Sequence, residues 1–528
     1  MAPDLAEKPY PVHRYTLDFY LLLLLVVLPL WSLVPLSWGF VLFSVYTGSY
    51  WQHSWTRCAF VLAALCEVVF SAYYYYLSCR QAAPSPLGPG KQHEIKLAYT
   101  RLLKTGLADL PEDGHDEESM NGPRAGSPAE PIVHLDQDDP RAIDFRHCLR
   151  TWFFKAPWSS IRLAEFRKWL YWAMFNADLP PTDQIPHSYR TALDEALDLL
   201  QKRCGITLEE GSNPETEFIR LSRDPLKTSF RPLLLYVLVY CVNRYLRRTF
   251  RHKYNLRYTL HNGLECLIRI PENWTVSTGA RPLVFIHGLG LGLLQYTLPL
   301  SQLITSFPTR PILILLQPQI SQDFFHPQYL KPIPRDEMTD SLASLLIDLG
   351  WVDKLKQDSP DSDDDDAPPN KGVTMLSHSN GSVTHAWMLK SHPRMITHSC
   401  FVDPVTFCLW EGDVCYNFVY KPCRTGIELI MRYFVSTELG VANCLQRHFD
   451  WASSSLFFEE IPNARDPARA LFLLGGKDDI LHAERVKRYL TSHGVREGLW
   501  YDPEARHGQA LMTGTPGFQH IKNWLASH

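Results

Sequence analysis

A doubly wound, mostly parallel α/β sheet is the fold that residues 254–528 predict, and three observations carry it. Apolar runs of strand length recur at Pro282 to Ile286, Ile312 to Leu316, Gly372 to Leu376, Thr397 to Val402, Ala470 to Leu474 and Leu499 to Tyr501. Continuous runs of this kind are what parallel strands buried on both faces show. Helical segments alternate with them at Glu337 to Leu349, Gly381 to Lys390 and Gly517 to Ala526, as a sheet covered on both faces requires. Residues suited to nucleophilic, acid and base chemistry fall just past the ends of those strands.

Taken in order, Tyr254 to Leu260 and Leu264 to Ile270 flank His261-Asn262-Gly263, a hairpin turn signal, and open the sheet as antiparallel strands. Pro282 to Ile286 is the first inner parallel strand and ends in His287-Gly288-Leu289-Gly290. After Gly372 to Leu376 comes Ser377-His378-Ser379-Asn380-Gly381, and a helix starts at once. A strand that stops so abruptly forces the residue at the turn into a strained conformation, and small neighbours let the two elements approach. Ser379 occupies that position. Ser377 stands where the pattern G-x-S-x-G has its first glycine, and is read as a small residue tolerated there. Downstream, Ala470 to Leu474 ends in Gly475-Gly476-Lys477-Asp478-Asp479, and Leu499 to Tyr501 is followed by Ala505-Arg506-His507-Gly508.

A serine hydroxyl is a poor nucleophile at neutral pH. It needs a histidine to take its proton and a carboxylate to hold the imidazole. The order Ser379, Asp478, His507, each just past a strand, resembles the α/β-hydrolases of the esterase and lipase type over about Tyr254 to His528. The resemblance implies a mostly parallel sheet with a helical cap, Ser379 as nucleophile, Asp478 as acid, His507 as base, and an oxyanion site made by the amides of Asn380 and Leu289. It implies no metal and no organic cofactor. His287 then serves the geometry of its loop, and His378 that of the elbow.

Each assignment has a plainer reading. Ser379 also suits a helix N-cap, and His507 a surface histidine beside a glycine turn. Asp479 adjoins Asp478, and Asp403 follows the preceding inner strand, so both compete for the role of acid. His385, His392, His398 and His482 have no metal-ligand spacing and are taken as helix-surface positions.

The chain has 528 residues and a net charge of -4, without a basic stripe interleaved with aromatics, which argues against a nucleic-acid partner. Its 12 cysteines are scattered from Cys58 to Cys444 with no framework, the pattern of reduced thiols. No charged residue occurs between Asp18 and Arg57, and Cys58 to Leu77 carries only Glu67. A hydrocarbon core takes about 20 apolar residues of helix, so residues 1–80 are expected to anchor the chain through one or two transmembrane helices, kinked at Pro29 and Pro35. Lys8, Arg14 and Arg80 against Arg57 alone favour a cytosolic catalytic body on an intracellular membrane. A glycan on the Asn380-Gly381-Ser382 acceptor pattern would block the site and points the same way, whereas Asn273-Trp274-Thr275 points the other.

Residues 81–144 read as an acidic, Pro/Gly-rich linker with one helix near Lys96 to Leu107. Residues 145–253 form an aromatic and basic helical region. Trp152, Phe153, Trp158, Phe166, Trp169 and Trp172 are either its packed core or a membrane-surface face, and Leu233 to Val242 followed by arginines repeats the mixture. Two insertions interrupt the sheet. Asp358 to Lys371 is a charged loop. A cap at about 407–465 brings Trp410, Tyr416, Phe418, Tyr420, Tyr433, Phe434, Phe449, Trp451, Phe457 and Phe458, divided between an apolar pocket and the cap's own core. The expected protein is a membrane-anchored serine hydrolase that cleaves a lipophilic carboxylic ester, with the bilayer and that ester as its partners. A non-catalytic membrane scaffold on the same fold, or an acyltransferase or thioesterase using the same triad, stands beside it.

Overall fold

The computed structural model describes residues 14–48, 55–105, 134–276, 279–353 and 372–527. The charged insertion Asp358 to Lys371 and the acidic run from Asp109 to Glu118 lie outside the described residues. Along the chain run helices α1 (Leu17–Tyr46), α2 (Trp55–Gln81), α3 (Gln92–Lys104), α4 (Pro140–Arg150), α5 (Leu163–Phe175), α6 (His187–Cys204) and α7 (Leu233–Tyr254). Next come β1 (Arg257–His261), β2 (Leu264–Arg269), β3 (Leu283–Ile286), α8 (Leu293–Ser306), β4 (Ile312–Leu316), α9 (Arg335–Asp348), β5 (Val373–His378), α10 (Gly381–Ser391) and β6 (Ile396–Val402). The cap insertion contributes α11 (Gly426–Met431), α12 (Leu439–Arg447) and shorter turns, and the chain closes with β7 (Ala470–Gly475), α13 (Ala483–Ser492), β8 (Leu499–Asp502) and α14 (Pro516–Ser527).

The strands form one eight-stranded sheet in the order β1-β2-β4-β3-β5-β6-β7-β8. β1 with β2 and β2 with β4 are antiparallel, and every other pair is parallel. Side chains alternate between the faces of a strand, so each strand splits its apolar residues between two cores. Val284, Ile286, Met375, Phe401, Phe472 and Leu474 face one side. Leu283, Phe285, Leu376, Cys400, Leu471 and Leu473 face the other, under α7, α8 and α14.

The first core continues without a break into residues 145–221 and the cap. Trp152, Phe153, Trp158, Phe166, Trp169 and Trp172 are buried there. Trp152 Nε1 donates to the carbonyl of Trp410 at 2.9 Å, and Trp451 Nε1 donates to that of Ala173 at 2.6 Å. This removes the membrane-surface reading of these aromatics, because an indole facing lipid cannot also fill the space between two protein layers. Gln92–Lys104, within the segment read as a linker, also contributes Ile95, Ala98, Tyr99, Leu102 and Leu103 to this core. Basic residues gave the region its surface character in sequence, but Arg146 and Arg150 are buried on backbone carbonyls.

α1 and α2 are long and apolar enough to cross a membrane, and only 6% and 22% of their most apolar windows is buried. A core helix of a soluble domain would be covered; here Leu17, Leu25, Leu36 and Leu62 are exposed. Each helix nevertheless rests on the body of the protein along part of its length. The Asp18 carboxylate accepts from the amide of Gly426 at 2.8 Å, and Trp31 meets Tyr433 edge to face. Phe70 and Tyr74 of α2 pack with Tyr236, Tyr329 and Leu439. Both carboxylate oxygens of Glu67, the one acid in α2, accept from the amide of Leu233 at the start of α7. That is a cap supplied from another helix, and it satisfies a donor that the helix leaves unpaired. Glu67→Ala should lower stability by about 1–3 kcal/mol, the usual cost of orphaning a buried polar group. Thermal unfolding in detergent micelles measures it, and an unchanged midpoint would mean that the cap is dispensable.

Candidate active site

β5 ends at His378, and Ser379 sits at φ 52° before α10 begins at Gly381. A left-handed conformation is costly for a non-glycine residue. It persists here because the turn is fixed on every side. The Ser379 amide donates to the carbonyl of Val402 at 3.0 Å, and the Ser379 carbonyl accepts from the Ser382 hydroxyl at 2.6 Å. A Cβ on Gly381 would overlap the carbonyl oxygen of Ile286. One on Gly288 would stand 2.9 Å from the Ser379 Cβ, so the loop after β3 is drawn directly against the elbow.

Asp478 follows β7, and His507 follows β8. Asp478 Oδ2 lies 2.5 Å from His507 Nδ1, while Oδ1 accepts from the amides of Ile480 at 2.7 Å and Leu481 at 3.1 Å. The carboxylate is therefore held from behind and presented to one imidazole nitrogen. Burial would lower the His507 pKa, but the charge and hydrogen bond of Asp478, with Asp403 and Asp479 behind it, outweigh burial and hold it up at about 9. His507 Nε2 is buried and has no hydrogen-bond partner among the described residues. No hydrogen bond joins it to the Ser379 hydroxyl, an arrangement that is often looser before substrate binds.

The competing carboxylates are occupied elsewhere. Asp479 pairs with Arg506 at 3.5 Å. Asp403 is fully buried and accepts from the amides of Gly475 at 2.9 Å and Gly508 at 2.7 Å. It clamps the ends of β6 and β7 to the loop that carries His507. Burial pushes its carboxyl up, against the pull of His507's positive charge.

Of the loop after β3, the Gly288 amide donates to the Tyr296 hydroxyl at 2.9 Å and the Gly290 amide to the carbonyl of Ile320 at 3.0 Å. The amides of Leu289 and Asn380 have no partner among the described residues. The Tyr296 hydroxyl that accepts from Gly288 also meets His378 Nδ1 at 2.7 Å. Burial, then the charges of His507 and His287, keeps His378 neutral. Its ring lies 5.2 Å from that of His507. Tyr296 had no signal in the sequence, since it meets His378 across 82 residues. His287 is buried, with Nε2 accepting from the Gln317 amide at 3.2 Å.

Two of the histidines expected on helix surfaces are buried instead, His385 and His398. His398 lies on β6 beside Arg281. His385 Nδ1 meets the Ser377 hydroxyl at 2.9 Å, and Nε2 the Ser399 hydroxyl at 3.1 Å. Ser377 thus does more than fill a glycine's place. Ser377→Gly should cost about 1–3 kcal/mol of stability by orphaning the imidazole, with ester turnover of the folded protein changed little. Burial holds His385 down to about 3. A histidine kept neutral in the fold contributes stability that is full above its ordinary value near 6.5, and that is lost as pH falls toward 3. Urea unfolding of the two proteins between pH 7 and 4 measures both effects.

A cavity of about 400 Å³ opens beside Asn380 and runs along Val383, Thr384 and Trp387 of α10. Its far walls come from Trp172 and Met174 of α5, from Phe449 and Trp451 of the cap, and from the strap Leu87 to Lys91 that follows α2. Among the cap aromatics, Phe449 and Trp451 line this space. Trp410 stacks on Phe457 at 4.9 Å within the core. Among the described residues, Asp403, Asp478 and His507 form the one group close enough to hold a metal ion; its donors are already committed to the contacts above.

No family model matches the chain, and no curated protein matches it in sequence. Solved structures do match. A membrane phospholipase A described as a bacterial virulence factor is 14% identical, over 56% of this chain and 93% of that one, with a TM-score of 0.32. A carboxylesterase from Bacillus subtilis is 11% identical, over 56% and 98%, with a TM-score of 0.33. A protein from Burkholderia cenocepacia described as an aryl esterase is 12% identical, over 52% and 98%, with a TM-score of 0.31. What decides the fold is the sheet itself: the antiparallel opening, the crossover that sets β4 outside β3, and the strained serine turn after β5 are those of the α/β-hydrolase fold.

Proposed function

We propose that the protein is a membrane-anchored serine hydrolase that cleaves a lipophilic carboxylic ester. The observation that carries this reading is the His507 imidazole, fixed through Nδ1 by a buried carboxylate, left with an unpartnered Nε2, and lying 5.2 Å ring to ring from His378, the residue before a serine held at positive φ. In the proposed mechanism the Ser379 hydroxyl gives its proton to His507 Nε2 as its oxygen attacks the ester carbonyl. Asp478 keeps the base in the correct tautomer and stabilises the imidazolium. The amides of Leu289 and Asn380 meet the developing oxyanion; loss of one such donor typically costs about 3 kcal/mol of barrier. The tetrahedral intermediate collapses with the alcohol leaving on a proton from His507. Water, activated by the same base, then releases the acid from the acyl-enzyme.

The cavity supports the choice of substrate. Trp172, Met174, Val383, Trp387, Phe449 and Trp451 offer apolar surface next to the oxyanion amide, which suits an acyl chain or aromatic acyl group. Two apolar helices on the same chain would hold that cavity where lipophilic esters concentrate. The flanking basic residues favour a body on the cytosolic side. The test is fluorophosphonate labelling of the intact protein, followed by turnover of p-nitrophenyl esters of increasing acyl length. Labelling with kcat/KM rising from acetyl to octanoyl supports the reading. Absence of labelling by folded protein rejects serine chemistry, and a preference for acetyl rejects the lipophilic substrate.

A further inference from the structure

The outward face of α7 changes character along its length. Its first half exposes Leu234, Val237, Leu238 and Cys241, and its second exposes Arg244, Tyr245, Arg248, Arg251 and Lys253. Tyr236, Val239, Asn243, Leu246 and Phe250 are buried against the body. A surface helix of a soluble protein keeps polar residues outward throughout. Here the outward apolar half starts beside α2, because Glu67, midway along that helix, caps Leu233. The start of α7 is therefore level with the middle of a helix built to cross a bilayer. Backbone donors at such depth must be satisfied within the protein, and a carboxylate placed there does so.

The reach of the two N-terminal helices agrees. α1 rests on the cap as far as Trp31, and α2 on the body from Glu67 onward. Beyond those contacts roughly 15 and 12 residues stand clear, or about 18–22 Å at 1.5 Å per residue. A hydrocarbon core is about 30 Å thick. The rim of the body must make up the difference, and apolar surface continues beside the first half of α7: Phe325 is 48% exposed with its ring against Tyr240 at 5.4 Å.

We infer that α7 is a third membrane element: its first half, with Phe325, lies in the hydrocarbon of one leaflet, and Arg244, Arg248 and Arg251 meet anionic lipid headgroups. This rests on the reading of α1 and α2 as membrane helices. Basic residues following a short apolar stretch, with tyrosine between, match the order of layers from acyl chain to headgroup.

The experiment uses the full chain, with one labelled thiol at a time and the other exposed cysteines changed to serine. The positions are Cys66 on α2, Cys241 on α7, and Glu195→Cys on the exposed face of α6 as control. Each carries an environment-sensitive fluorophore in phosphatidylcholine–phosphatidylserine vesicles whose acyl chains are brominated or plain. The expected result is that bromine quenches the labels at Cys66 and Cys241 by about half or more and leaves position 195 bright. Reversing Arg244, Arg248 and Arg251 to glutamate should reduce quenching at Cys241 and preserve it at Cys66. Quenching at Cys66 without quenching at Cys241 would leave the anchor standing and overturn the role of α7. No quenching at either position would overturn the anchor, and the inference with it. Quenching at all three would show unspecific insertion and overturn it as well. Arginine reversal without effect would overturn the headgroup contact.

Discussion

Ser379→Ala should abolish fluorophosphonate labelling and reduce ester turnover by about five to six orders of magnitude, the size of loss seen when a triad nucleophile is removed. The variant should unfold at the same temperature as the parent or slightly above. Ser379 is held at φ 52° by contacts of its backbone, so the loss of its hydroxyl breaks none of the hydrogen bonds that fix the turn. Residual labelling at the parental rate would place the nucleophile elsewhere. Retained turnover without labelling would point to chemistry that bypasses an acyl-enzyme.

Asp478→Asn is the second large effect, and its pH dependence is as informative as its size. The general base works only when neutral. With His507 held up at about 9, kcat/KM of the parent should climb with pH until that value is passed. Asparagine keeps an oxygen for the Ile480 and Leu481 amides but turns an N–H₂ toward His507 Nδ1. The imidazole loses both its negative neighbour and its proper tautomer, and turnover should fall by about 10⁴. Burial then acts with less opposition, so the rising limb should move to lower pH. A pH profile of both proteins on a soluble p-nitrophenyl ester reads the two effects together. Asp403→Asn should move the limb down less than Asp478→Asn does, because Asp403 acts on His507 through its charge alone while its oxygens are engaged by the amides of Gly475 and Gly508. If that variant moves the limb and Asp478→Asn does not, the acid is Asp403.

The succession of strands along the chain, the elbow and the hairpin that opens the sheet were legible in the sequence because each is a local pattern. Apolar runs mark strands, small residues mark the tight turn, and Asn262-Gly263 marks the hairpin. Legibility ended where contacts join distant segments. The alternation of Trp and Phe with Arg over residues 145–175 has the composition of a membrane surface, and only packing against the cap turned those rings inward. His385 falls on a helix with no sequence mark of burial, yet β5 and β6 close over it with a serine at each nitrogen. Three carboxylates were candidates for one role, and spacing alone had no means of choosing among them. The choice depends on which oxygen reaches Nδ1, a matter of a few ångströms set by how the loops after β6, β7 and β8 converge.

By itself the sequence determined the order of strands and helices in the catalytic half, the position of the strained serine, and the presence of two long apolar helices. Side-chain periodicity and turn chemistry act over a few residues, and a single chain displays them directly. Only the tertiary structure decided that Asp478 carries the contact to His507, that Tyr296 meets His378, and that the aromatic helices belong to the core. It also decided that Glu67, a lone acid in an apolar helix, caps another helix 166 residues away. Each of these is a pairing of buried polar or aromatic groups across the fold. The cost of leaving such groups unpaired decides the partner, and the partner exists only once the chain has folded.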